Sequence, residues 1–175
     1  MPAEYAFLTT WRVRAAAEEV FDLLADPLAL KRWWPSVYLE VKELRPSDTP
    51  DGVGRVIDLY TKGWLPYTLR WNFTVTESTR PRGFKLTAHG DFEGTGAWTI
   101  GTSQEDGAFV DATYDWRISA EKPLLRYGTL VLRPIFAANH RWAMARGLES
   151  LELELRRRRG ESAVPAPPGP TFARR

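Results

Sequence analysis

The chain contains no cysteine and only two histidines. Without thiols there is no disulfide framework, no thiol catalysis and no cysteine-bound zinc. Long apolar runs are absent too: no stretch of about 18 apolar residues is available to cross a bilayer. The amino-terminal MPAEYAFLTTW lacks a basic start followed by an apolar segment, so no secretory signal is expected and the cytoplasm is the expected compartment. Phosphate-binding glycine loops, nucleophile elbows and zinc spacings do not occur. His89, Asp91 and Glu93 lie close together but straddle a turn with no further ligand nearby in sequence, so no metal and no cofactor is expected.

Charge is balanced, with 24 basic and 22 acidic side chains. The basic excess is local: Arg156 to Arg159, Arg174 and Arg175 meet a single acid, Glu161, while the body before them is mildly acidic. A surface that tracks phosphates needs a basic stripe on the folded domain, so a nucleic-acid partner is not expected. At 175 residues the chain suits one domain, here residues 1–159, followed by a Pro-rich, apolar-poor tail, 160–175, expected to be disordered.

What is plentiful is large aromatic side chains, eight of them Trp. The segment EYAFLTTWRV alternates with period two and predicts a strand; AAAEEVFDLLAD follows at helical spacing, and a second short helix is expected from Pro27 to about Trp34. Six extended segments come next: VYLEVKEL, GRVIDLYTKG, LPYTLRWNFTVTE, GFKLTAHG, DFEGTGAWTIGT and AFVDATYDWRISA. Each has one wet face, and their short connections favour antiparallel neighbours, giving one curved sheet of about seven strands with an apolar face to cover. A C-terminal helix is left to cover it, with a first piece around Pro123 to Leu132, a main length starting at Pro134, and Gly160 as a left-handed cap.

With WRVRAAAEEVFDLLAD, KRWWPSV, TKGWLPYTLRW, HGDFEGTGAW and LRPIFAANHRWAM in this order, residues 4 to 158 resemble the START-like, helix-grip superfamily, specifically its bacterial polyketide cyclase/dehydrase-like members. The resemblance implies an α+β fold in which the sheet grips the long helix around a deep hydrophobic cavity. It also implies ligands of the sterol, lipid, polyketide or plant-hormone kind, with some members cyclising or dehydrating polyketides. Ala16 stands where the family pattern often has proline, which affects only the start of the first helix.

Several residues carry the candidate chemistry. Trp11, Trp71, Trp98 and Trp116 share the parity of the concave face, and with Tyr67 and Tyr114 they either line a pocket for a flat, greasy ligand or fill a plain core. Plotted at 100° per residue, Phe136, His140, Met144, Leu151 and Leu155 form one inward band, flanked by Asn139 at the rim. His140 at its middle is a general acid/base, a hydrogen-bond partner for a ligand, or a core histidine satisfied by a tyrosine, a Trp N–H or water.

Asp58 is the candidate acid to orient it, but Val56 and Tyr60 on one parity and Ile57 and Leu59 on the other leave its direction open, and an outward carboxylate is the plain alternative. Gly94 and Gly96 either curve the sheet or leave floor space under a ligand. Trp33, Trp34 and Pro35 form a gate or simply end a helix, and Trp142 projects opposite His140. The resulting expectation is binding of a small hydrophobic or aromatic molecule. The alternatives are a cyclase or dehydratase working through His140, and an interaction module built on Trp142 and the Arg-rich end.

Overall fold

A computed structural model describes residues 3–120 and 129–172. Seven strands form one antiparallel sheet: β1 (Ala3–Val13), β2 (Tyr38–Arg45), β3 (Val56–Lys62), β4 (Thr68–Thr79), β5 (Gly83–Gly90), β6 (Glu93–Thr102) and β7 (Val110–Ala120). Their order across the sheet is β1-β7-β6-β5-β4-β3-β2, so the two strands that flank the first helices lie at opposite edges. Between them run α1 (Ala17–Leu24), a single 3-10 turn (Pro27–Ala29) and α2 (Leu30–Trp33). The long helix α3 (Thr129–Arg158) completes an α+β, helix-grip architecture.

The alternation builds the inner face rung by rung. Residues directly opposite in an antiparallel ladder point to the same side, so Phe7, Trp116, Gly96, Leu86 and Val75 form one rung across five strands. Trp11, Ala112 and Ile100 form another, buried one. In α1, Val20, Phe21, Leu23 and Leu24 turn inward. Ala16 has a use at the start of this helix: its backbone N–H donates to Glu19 Oε2 at 2.8 Å, a bond proline cannot make.

Burial along α3 is uneven. Its second half buries Met144, Gly147, Leu151, Glu154 and Leu155, whereas Phe136, Asn139 and His140 in its first half are only half-buried. The helix runs unbroken through Pro134, which therefore sits inside it rather than at its first turn, because helical residues already precede it from Thr129 onward. Residues 123–128 of the expected first piece lie outside the described residues. At the other end Gly160 takes φ +76°, and the bonds Gly160 N–H to Arg157 O (3.0 Å) and Glu161 N–H to Arg156 O (3.1 Å) close the helix around it.

Residues 161–172 form no helix or strand, but they fold back along the domain. Arg157 donates to the Pro165 carbonyl, and Thr171 Oγ1 donates to the carbonyls of Gly63 (3.3 Å) and Trp64 (3.1 Å). Composition misses this contact because carbonyls and one hydroxyl make it, not an apolar core. No helix among the described residues is long and apolar enough to cross a membrane.

Candidate functional site

The first half of α3 is half-buried because the space beneath it is not filled. An apolar cavity of about 240 Å³ lies between this stretch, the inner face of the sheet and the α1–α2 corner. An apolar cavity of roughly 150 Å³ already accepts benzene, so this one has room for a larger, fused-ring body. Sheet residues Trp71, Trp98, Tyr114 and Trp116 form its floor, and α3 contributes Phe136, Asn139, His140 and Met144. Tyr67, from the β3–β4 connection, also lines it.

The floor is a continuous aromatic surface. Trp98 stacks on Tyr114 with centroids 4.6 Å apart, and Tyr114 stacks on Trp116 at 5.7 Å. Trp71 meets Trp116 at 5.5 Å and Phe92 at 5.1 Å. Trp71 Nε1 donates to Thr61 Oγ1 at 3.0 Å, which fixes the indole. Gly96 carries no floor space for a ligand: a Cβ there would lie 2.7 Å from Tyr114 Oη, so its room is taken by that phenol. At Gly94 a Cβ would meet the Arg117 carbonyl at 2.3 Å, which makes this glycine a condition for close approach of β7.

Trp11, expected among the pocket residues, does not line the cavity. Its ring packs between Trp34 (5.5 Å) and Trp98 (5.0 Å) with 2% exposure, so it supports the floor from behind. Trp34 does line the cavity, next to Tyr38, and Trp33 beside it is fully buried. Trp142 is half-buried.

His140 stacks on Phe7 at 4.5 Å and 19°. Its Nε2 is buried with no hydrogen-bond partner among the described residues. Burial, helped by the nearby positive charge of Arg141, lowers its pKa to about 4, so the ring is neutral at pH 7. Asp58 does not reach it. The carboxylate lies on the outer face of β3, where it accepts from Arg70 Nη1 at 2.9 Å, and Arg70 also reaches Glu40 at 3.3 Å. The direction that parity left open is the outward one, because Ile57, Leu59 and Thr61 take the inner face.

Asn139 accepts from the Leu65 backbone N–H at 3.1 Å and holds the β3–β4 connection against α3. Gly63 makes that possible, since a Cβ there would sit 2.3 Å from Asn139 Oδ1. Burial raises the pKa of Tyr38, and of Tyr114 further with help from Tyr38, so both phenols stay protonated as donors. Sequence reasoning offered Trp34 as part of a gate or a plain helix end, and missed Tyr38, Phe7 and Lys62 as lining residues. The period-two pattern of β1 already placed Phe7 with Trp11, but nothing local marks Lys62. Among the described residues no group of three His, Asp or Glu is arranged to hold a metal; His89 contacts Glu93 on the surface.

Residues 7–156 match the sequence family described as polyketide cyclase/dehydrase and lipid transport. The chain belongs to this family. No curated protein sequence matches it. The fold is similar to that of a START superfamily protein from Mycobacterium smegmatis, at 14% identity and TM-score 0.69 over 87% of this chain and 97% of that one. It is also similar to the Zhui aromatase/cyclase from Streptomyces sp. R1128, at 19% identity and TM-score 0.66 over 89% and 96%. A norcoclaurine synthase from Thalictrum flavum aligns at 12% identity and TM-score 0.59 over 88% and 97%. The family and these neighbours mark the polyketide cyclase-like chain as having a hydrophobic ligand-binding fold.

Proposed function

We propose that this family member binds a small, flat hydrophobic molecule in the cavity beneath α3, with His140 as a polar contact. The observation that carries this reading is His140 Nε2, a buried polar atom without a partner among the described residues, in an aromatic-lined space. Leaving such an atom unpaired costs about 1–3 kcal/mol, which a hydrogen-bonding group on the ligand recovers. A phenol or enol hydroxyl on the ligand is the matching group, since it donates to Nε2 in one tautomer of the neutral imidazole and accepts from Nε2–H in the other.

Binding is favoured over catalysis by the surroundings of His140. A general base needs an orienting group and a pKa near the working pH. Here the ring lies against Phe7, Asp58 is on the opposite face of the sheet, and protonation is suppressed. His140→Ala is expected to weaken binding of a hydroxylated fused-ring probe such as naphthol by about tenfold, with unchanged far-UV circular dichroism. Titration by Trp fluorescence checks it; equal affinity in both proteins removes His140 from the site, and absence of naphthol binding in the unmodified protein counts against the cavity reading itself.

A further inference from the structure

Lys62 is a charged residue of the cavity wall whose hydrogen-bond partner is a backbone carbonyl. Its backbone N–H donates to Val37 O at 3.0 Å, which ties the end of β3 to the residue before β2. Lys62 lines the cavity and the residue is only 8% exposed. Yet the ammonium lies at shallow depth, and what covers it is the returning tail. Lys62 Nζ donates to the Thr171 carbonyl, and the Phe172 ring lies 5.0 Å from it. Among the described residues no carboxylate stands within ion-pair distance of Lys62.

The other charges of this region do not answer it. Arg55 is paired with Glu43, and Asp51 is held by Thr49 and the Val53 N–H. Arg133, near the same end as Lys62, donates to the Glu4 carbonyl and lies over Tyr5, and Arg141 adds positive charge beside His140. Burial lowers the pKa of Lys62, the direction expected for a cation partly shielded from water. A neutral carbonyl and a ring face compensate an ammonium less well than a carboxylate does.

Resting on the binding function proposed above, we infer that the cavity's ligand is an aromatic or polyketide-like carboxylate whose charged end takes the place of the Thr171 carbonyl on Lys62. The tail then competes with the ligand: residues 171–172 occupy the charged end of the site when it is empty and leave it when the site fills. A single ammonium suits a single negative charge, which favours a carboxylate over a phosphate dianion.

The test compares naphthoate with naphthamide, a pair matched in shape and differing in charge, by Trp fluorescence titration of the full chain at pH 7. The unmodified protein is expected to bind naphthoate at least about tenfold more tightly than naphthamide. In Lys62→Met the two affinities converge while naphthamide binding stays within about twofold. If that variant is unfolded by circular dichroism, Lys62→Gln serves with the same expectation. The double variant Thr171→Ala, Phe172→Ala, which loosens the tail but keeps Lys62, is expected to bind naphthoate about threefold or more tightly than the unmodified protein. Equal affinities for acid and amide in the unmodified protein overturn the role of Lys62 and leave the cavity reading standing. Failure of both probes to bind overturns both. A preference for the acid that survives in Lys62→Met assigns the charge to another cation and also overturns the inference.

Discussion

His140 also makes the molecule sensitive to acid in a definable window. Its folded-state pKa is lowered from 6.5 to about 4 by burial, with a contribution from Arg141. Between those values the unfolded chain binds a proton that the folded chain refuses, so stability is full above pH 6.5, falls as the pH drops and levels off below about 4. The full effect is roughly 3 kcal/mol, and His140→Gln should remove that part of the pH dependence. Chemical denaturation of both proteins at a series of pH values measures it; parallel curves from pH 7 to 4 would show that the imidazole is not desolvated in the folded state. The same neutrality gives the ring its acceptor nitrogen, so the stability cost at low pH and the proposed ligand contact have one cause.

Among the elements, α3 depends on a single missing methyl group. A Cβ at Gly147 would lie 2.3 Å from Trp34 Cζ2 and 2.5 Å from Cε2, and Trp34 is buried against Trp11, Trp33 and Tyr38. Gly147→Ala gains about 1 kcal/mol of helix propensity, but overpacking against a rigid indole costs about 1–3 kcal/mol. The expected outcome is a net loss of stability in a denaturant titration, and a stabilised variant would contradict this packing.

These elements were legible in the sequence to different degrees, for physical reasons. Strands such as Tyr67 to Val75 and Val110 to Ile118 have one apolar and one polar face, so period two alone located them and their inner sides. The 100° band placed His140 with Phe136 and Met144, three of the α3 residues that line the cavity. Asp58 was ambiguous because both faces of β3 are apolar. Lys62 escaped because the alternation breaks at the strand end, where Thr61 and Lys62 are both buried. Rules for proline at a helix start misplaced the beginning of α3, since they weigh Pro134 without the helical residues before it.

At the scale of the whole molecule, the ion pairs that tie α3 to other helices lie, among the described residues, at its C-terminal end. Arg32 forms two bonds to the buried Glu154 (2.9 and 2.7 Å), and Arg159 forms two to Glu19 (both 3.0 Å), joining the second half of α3 to α2 and α1. Burial raises the pKa of Glu154, but hydrogen bonds from Arg32, Arg157 and Arg158 outweigh it and keep the carboxylate ionised. The first half of the helix spans the cavity, and its ties there are the hydrogen bonds of Asn139 to the Leu65 N–H and of Arg133 to the Glu4 carbonyl rather than ion pairs, among the described residues. Amides of residues 133–143 should therefore exchange hydrogen faster than those of 148–158, and a bound ligand should slow the first group selectively. Uniform protection along the helix would contradict this picture.

The strand order has a consequence for how the protein is made. β1 pairs only with β7, its register running from Ala3 opposite Ala120 to Val13 opposite Val110. On the ribosome the first strand thus emerges about a hundred residues before its partner, a wait of several seconds at roughly 5–20 residues per second. Throughout that interval its backbone and its Leu8 and Trp11 side chains are open to foreign strands. Sheltering of this segment in the nascent chain then governs how much of the product avoids aggregation.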